Sequence, residues 1–319
     1  MILVSAQLCF AQENIRFERI SVNEGLSQAD VKSMVQDRFG FLWIGTRDGL
    51  NKYDGYEFTV YTWDENDAAS LHFNQILDLQ VDSAGNVWVG SAGGLSVYHY
   101  RKNVFANFFP ADRTLKDVEV NHILLTGNHT ALLSTTKGLI TFDLQRKSFF
   151  VAPQFVLFRG MRVFHSQKNE SLGLWVGTDS GVFIKANDQS AWTRLLEDTH
   201  ILHIAFDVNR KVYLSTSRGL FAYDVEKKNL EQINTPPGPV MRVLRVKNGD
   251  LWVASNKVIV LDKNDRLKYV LSHDKLNNHS LSEDRARVLF QTRDEVIWVG
   301  TFGYGLNKFN PDVAEFSFL

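Results

Sequence analysis

Nine side chains hold the greatest chemical potential in this chain: Arg47, Asp48, Lys137, Asp179, Arg218, Arg242, Arg285, Phe302 and Tyr304. Aromatic faces beside guanidinium and carboxylate groups suit sugar rings. Several arginines together suit an acidic sugar or a sulfate, because a guanidinium grips an oxyanion with two parallel hydrogen bonds. The pattern predicts a ligand-binding face, with Arg47, Arg218 and Tyr304 as its leading members. Asn74, His122, Arg162, His200 and Arg287 fall in segments expected to lead into the same end of the fold. Taken singly, each of these residues also reads as an ordinary solvated turn.

Catalytic constellations are not legible. His200 and His203 are three apart in a stretch of strand character, which turns their side chains to opposite faces. The other histidines, His72, His99, His122, His129, His165, His273 and His279, read as scattered. The chain carries no Gly-x-Ser-x-Gly elbow, no His-Glu-x-x-His and no Asp-rich calcium loop. Asp82-Ser83-Ala84-Gly85 reads as a hairpin turn rather than a cation site. Acidic pairs for glycoside hydrolysis would have to converge from distant parts of the chain, which spacing does not reveal. The expected catalytic, metal and cofactor complement is none.

The 319 residues carry 35 Lys plus Arg against 36 Asp plus Glu, a formal net charge of −1. A general electrostatic hold on nucleic acid or an anionic bilayer needs a basic surface, so neither is an expected partner. The single cysteine, Cys9, allows no intrachain disulfide. Residues 1–11 read MILVSAQLCFA, the back half of a secretory signal without its basic front. Residues 12–319 are then expected to form one domain. No other stretch approaches the ~20 apolar residues a membrane helix needs.

The elements that must position the candidate residues come from a repeat. Its template is Phe41-Leu42-Trp43-Ile44-Gly45-Thr46-Arg47-Asp48-Gly49-Leu50-Asn51-Lys52-Tyr53-Asp54. Further copies are anchored at Trp88, Leu132, Trp175, Tyr213, Trp252 and Trp298, with spacings of 45, 44, 43, 38, 39 and 46 residues. Such a period suits four short strands per unit, and apolar residues alternate rather than recur at helical intervals. An Asp-x-x-Gly turn precedes the tryptophan strand, as in Asp37-Arg38-Phe39-Gly40. Seven units predict an all-β, seven-bladed β-propeller with four-stranded blades. The tryptophans are then inter-blade packing, and the glycines are turn or close-approach residues. Both Ile15-Arg16-Phe17-Glu18-Arg19-Ile20 and Ala314-Glu315-Phe316-Ser317-Phe318 read as outer strands, one too many. The N-terminal one is expected to complete blade seven and close the ring, with the C-terminal segment in that place as the alternative.

A second shared element precedes the blades: Gly25-Leu26-Ser27-Gln28-Ala29-Asp30-Val31 aligns with the segments around Leu71 and Leu281. Together with residues 37–54, and with WVGTFGYGLNKF ending at Phe309, it resembles the two-component regulator propeller family. That resemblance implies the periplasmic sensor region of a hybrid two-component histidine kinase, here its N-terminal propeller only. It further implies oligosaccharide ligands, a second propeller and an Ig-like domain as neighbours, and a dimer in the full-length receptor. Alternative readings are a propeller-fold glycan lyase or hydrolase, and a pure structural or interaction scaffold. The blades anchored at Leu132, Tyr213 and Trp252 depart from the family pattern by losing Trp or Gly.

Overall fold

A computed structural model describes residues 15–127, 130–207 and 210–312. It contains seven four-stranded antiparallel sheets arranged as the blades of a propeller. The innermost strands run from Val31–Gln36 in blade one through Ile76–Val81, Val120–Leu125, Val163–Asn169, Ile201–Phe206 and Arg242–Arg245 to Ala286–Gln291 in blade seven. Each is followed by a tryptophan-type strand such as Leu42–Thr46, then by a third strand and an outer one.

Closure follows the N-terminal assignment. Glu18–Ile20 pairs antiparallel with Leu306–Phe309, with Glu18 opposite Lys308 and Ile20 opposite Leu306. Arg19 fastens the join by donating to the carbonyls of Ser280 at 3.0 Å and Leu281 at 3.1 Å. The pairing gives blade seven the same four strands as the other six, with Glu18–Ile20 as its outer strand. The segment 314–318, the leader at 1–11 with Cys9, and His129 lie outside the described residues.

The repeat residues owe their identity to blade contact. Trp43, Trp88, Trp175, Trp252 and Trp298 are all buried. The glycine of the Trp-x-Gly-Thr sequence sits where the next blade comes closest. A Cβ on Gly45 would stand 2.5 Å from Ile76, and one on Gly300 would stand 2.8 Å from Val31. The following Thr46 side chain donates to the Gly49 carbonyl at 3.0 Å and accepts from the Asp48 N–H at 3.1 Å. That tight reversal needs φ of +107° at Gly49, a region costly for side-chain-bearing residues.

Two further motif residues explain each other. The Asn51 amide bonds both the backbone N–H of Ser27 (2.8 Å) and its hydroxyl (2.9 Å), and Asn307 treats Ser282 the same way at 2.7 and 3.0 Å. The Gly-Leu-Ser and Gly-Leu-Asn signatures are therefore two halves of one hydrogen-bonded clasp.

Candidate functional site

The turn after the tryptophan strand and the segment leading into the innermost strand do share one end of the ring. The first turn residue donates to the lead-in carbonyl in blade after blade: Arg47 to Asp30 (3.2 Å), Asp179 to Arg162 (3.0 Å), Ser217 to His200 (3.1 Å) and Phe302 to Arg285 (3.1 Å). This end is called the upper face below.

Eight of the nine predicted residues divide into three groups there. Local structure already engages Asp48, Lys137 and Asp179. Asp48 accepts from the Asn74 amide at 2.9 Å, Lys137 donates to the Thr114 carbonyl at 3.1 Å and to that of Lys116, and Asp179 accepts from Ser180 and the Arg162 N–H. Arg47, Arg218 and Tyr304 are exposed on separate turns; Tyr304 stands out because Gly303 and Gly305, both at positive φ, flank it. Arg285 and Phe302 come together, with the Arg285 guanidinium 5.8 Å from the ring centroid. Arg242 is not on a turn at all. It is a channel residue, because the sixth blade's lead-in ends at Met241 and the strand begins with Arg242 itself.

A basic group surrounds the upper mouth of the channel. Asp30 holds Lys32 at 2.9 Å and Arg287 at 2.9 Å, and the Arg287 guanidinium lies 3.6 Å from the Phe302 ring centroid. Burial pushes the Lys32 ammonium below its ordinary value; the bond to Asp30 opposes this, and Arg287 and Arg47 push it lower. One carboxylate thus pairs with two cationic side chains at this mouth, and Arg47 is near enough to act on both of them. Sequence reasoning named Arg47 and Arg287 but missed Lys32 and Asp30, which are the neighbours that join them.

Below the mouth the channel narrows to a polar layer. Its seven members are the innermost-strand residues paired opposite the second residue after each tryptophan position: Ser33, Asp78, His122, His165, His203, Arg242 and Val288. The expectation that the histidines are scattered fails here. His122 stacks on His165 with ring centroids 3.8 Å apart, and His165 meets His203 at 4.4 Å. His203 faces the channel while His200 sits at the upper rim, as their odd spacing requires. The missed signal is positional, since every member of the layer lies ten residues before its blade's tryptophan position.

The layer's hydrogen bonds are concentrated on one side. Asp78 accepts from the Ser33 hydroxyl at 3.1 Å and the Ile123 N–H at 2.9 Å, and His122 Nε2 stands 4.0 Å from its carboxylate. On the other side the Nδ1 atoms of His165 and His203 have no partner. Burial drives both imidazoles well below their ordinary value, with neighbouring histidines and Arg242 adding to the effect. They are neutral at pH 7. Two cavities meet at this layer, one of about 270 Å³ toward the upper mouth and one of about 620 Å³ below. Among the described residues no cluster of His, Cys, Asp or Glu is arranged to hold a metal ion.

A third hollow, of about 660 Å³, lies at the periphery beside blade two, lined by Trp63, His72, Phe109 and Lys147. Among the described residues no helix is long and apolar enough to cross a membrane.

Residues 25–48 and 70–93 match the family description "Two component regulator propeller". Blades one and two are thus two-component regulator propeller repeats. A 58-residue stretch is 45% identical to histidine kinase P4 of Formosa agariphila, covering 18% of this chain and 4% of that kinase. In three dimensions the chain is similar to the extracellular domain of a putative hybrid two component system from B. thetaiotaomicron. The TM-score is 0.82 at 23% identity, over 92% of this chain and 42% of that domain. It is also similar to virginiamycin B lyase from Staphylococcus aureus, with a TM-score of 0.70 at 12% identity, over 93% and 99% of the two chains. Likenesses at these identities show the propeller fold, which receptors and lyases share. The chain spans less than half the length of the receptor domain it matches.

Proposed function

We propose that this propeller is a ligand-recognition module of a hybrid two-component signalling system, exposed to the periplasm and responding to oligosaccharides released from polysaccharides. The observation that carries the reading is the two-component regulator repeat at residues 25–48 and 70–93. It is supported by the extracellular location named for the B. thetaiotaomicron domain and by the histidine kinase match.

In this reading the upper face binds the sugar. Tyr304 and Phe302 offer aromatic faces, and Arg47, Arg218 and Arg285 offer donors. The basic mouth formed by Lys32, Arg47 and Arg287 favours acidic sugars over neutral ones. The module itself is non-catalytic. Neighbouring domains of a longer receptor, a second propeller and an Ig-like domain among them, carry the signal onward in a dimer.

Calorimetric titration with acidic and neutral oligosaccharides tests this. Binding to the unmodified chain is expected, with Arg47→Ala and Tyr304→Ala each weakening it at least about tenfold. Unchanged affinity in both variants removes the upper face from consideration. Appearance of unsaturated or newly reducing ends during the titration would instead make the chain an enzyme.

A further inference from the structure

We propose that the central channel contains an oxyanion site, in which the Arg242 guanidinium, flanked by the imidazoles of His165 and His203, binds one carboxylate, phosphate or sulfate group. This site is distinct from the exposed turns of the upper face.

The first ground is charge. A guanidinium keeps its proton at any physiological pH, so Arg242 is a fixed cation inside the ring. Among the described residues its side chain makes no hydrogen bond and no ion pair. The only carboxylate of the layer, Asp78, belongs to blade two and spends its oxygens on Ser33 and Ile123. Its attraction for Arg242 acts at a distance and is weaker than the opposing effect of burial. Arg242 is half-buried, so its charge is partly desolvated without a direct partner, an arrangement that a ligand can complete.

The second ground is the geometry beside it. His165 and His203 belong to the two preceding blades and occupy the same step of the strand as Arg242. Their Nδ1 atoms are buried and unpartnered, although more than nine in ten buried polar groups normally find a partner. An oxyanion on Arg242 supplies acceptors to any of these nitrogens that carries a proton. The third ground is access. His122, His165, His203 and Arg242 line both the upper and the lower cavity, so the layer is open to a ligand from either side. The basic upper mouth, Lys32 and Arg287 above Asp30, steers anions toward it.

The chemistry is that of a single compact oxyanion, whether a free inorganic ion or the acid group of a sugar. The test uses the full chain in low-salt buffer, titrated with inorganic phosphate, inorganic sulfate, glucuronate and, as the uncharged control, glucose. Each anion is expected to bind and glucose is not. Tighter binding of glucuronate than of the inorganic ions would identify an acidic sugar as the source; the reverse order would identify a free ion.

Arg242→Met, which keeps the apolar stem, should weaken anion binding at least about tenfold. Its melting temperature without anion should equal or exceed that of the unmodified chain, because an uncompensated charge has been removed. Arg146→Met, at an exposed turn, should leave binding unchanged. The proposal is overturned if no anion binds, if Arg242→Met binds as well as the unmodified chain, or if Arg242→Met melts markedly lower without anion, which would make Arg242 a structural residue.

Discussion

The indole N–H of Trp43 donates to the Asp37 carboxylate at 2.9 Å, across the turn that joins the innermost strand of blade one to its second strand. Trp88 and Asp82 repeat the bond at 3.0 Å. Asp37 also accepts from the backbone N–H groups of Phe39 at 2.9 Å and Phe41 at 3.1 Å. One buried carboxylate thus fixes the turn and satisfies the tryptophan that packs the blade. Asp37→Ala leaves three donors without partners and should destabilise by about 3 kcal/mol. Asp54→Ala, which removes an exposed carboxylate from the Tyr56 and Glu57 N–H groups, should cost much less, because water replaces the lost bonds. Denaturant midpoints of the two variants measure the contrast.

Blade seven has lost this device. Thr292 stands six residues before Trp298, where blades one and two have aspartate, and its hydroxyl donates to the Val296 carbonyl at 3.0 Å. The indole Nε1 of Trp298 is buried without a partner. Thr292→Asp rebuilds the bond and should stabilise the chain by about 1 kcal/mol, read as a higher midpoint at unchanged slope. A lower midpoint would show that the turn of blade seven cannot seat the carboxylate.

Close approach between blades makes its own demand at Gly45. An added methyl would lie 2.5 Å from the Ile76 side chain and 3.0 Å from its Cβ, both in the core between blades one and two. Gly45→Ala should cost about 1–3 kcal/mol through overpacking. Ile76→Ala removes the Cγ2 methyl that the new Cβ would meet, so Gly45→Ala should cost less in that background. Additive costs in the double-mutant cycle would place the strain elsewhere.

The blades were legible because they draw on one set of residues at fixed spacing: the aspartate turn, the tryptophan, the glycine against the next blade and the threonine cap. Even the blades with Leu132 or Tyr213 in place of tryptophan kept enough of that set to be placed. The surplus of outer strands showed that a terminal strand completes blade seven, and the pairing of Glu18–Ile20 with Leu306–Phe309 decides which. The channel layer was not, because Ser33, Asp78, His122, His165, His203, Arg242 and Val288 share no residue type. Only their common distance from the tryptophan position unites them. Pattern reasoning finds what repeats, whereas the channel chemistry lies in what differs at one repeated position.

Acidification reports on that layer. His165 and His203 are held below their ordinary value by burial, so between that lowered value and about 6.5 the unfolded chain binds more protons than the folded one. Their contribution to stability is complete above pH 6.5 and is lost as the pH falls. The slope reaches up to ~1.4 kcal/mol per pH unit for each histidine that stays neutral. Melting temperature should drop between pH 7.5 and 5.5, and His165→Gln with His203→Gln should flatten the drop. An equally steep fall in the double variant would assign the effect to other groups.

Ligand recognition at the upper face is read by hydrogen–deuterium exchange with and without an acidic oligosaccharide. Exchange should slow in the upper turns, residues 46–49, 216–219 and 301–305, and in the lead-in segment 283–287. The lower turns 37–40 and 82–85 should be unchanged. Protection confined to those lower turns, or to the peripheral hollow around Trp63 and Phe109, would contradict it.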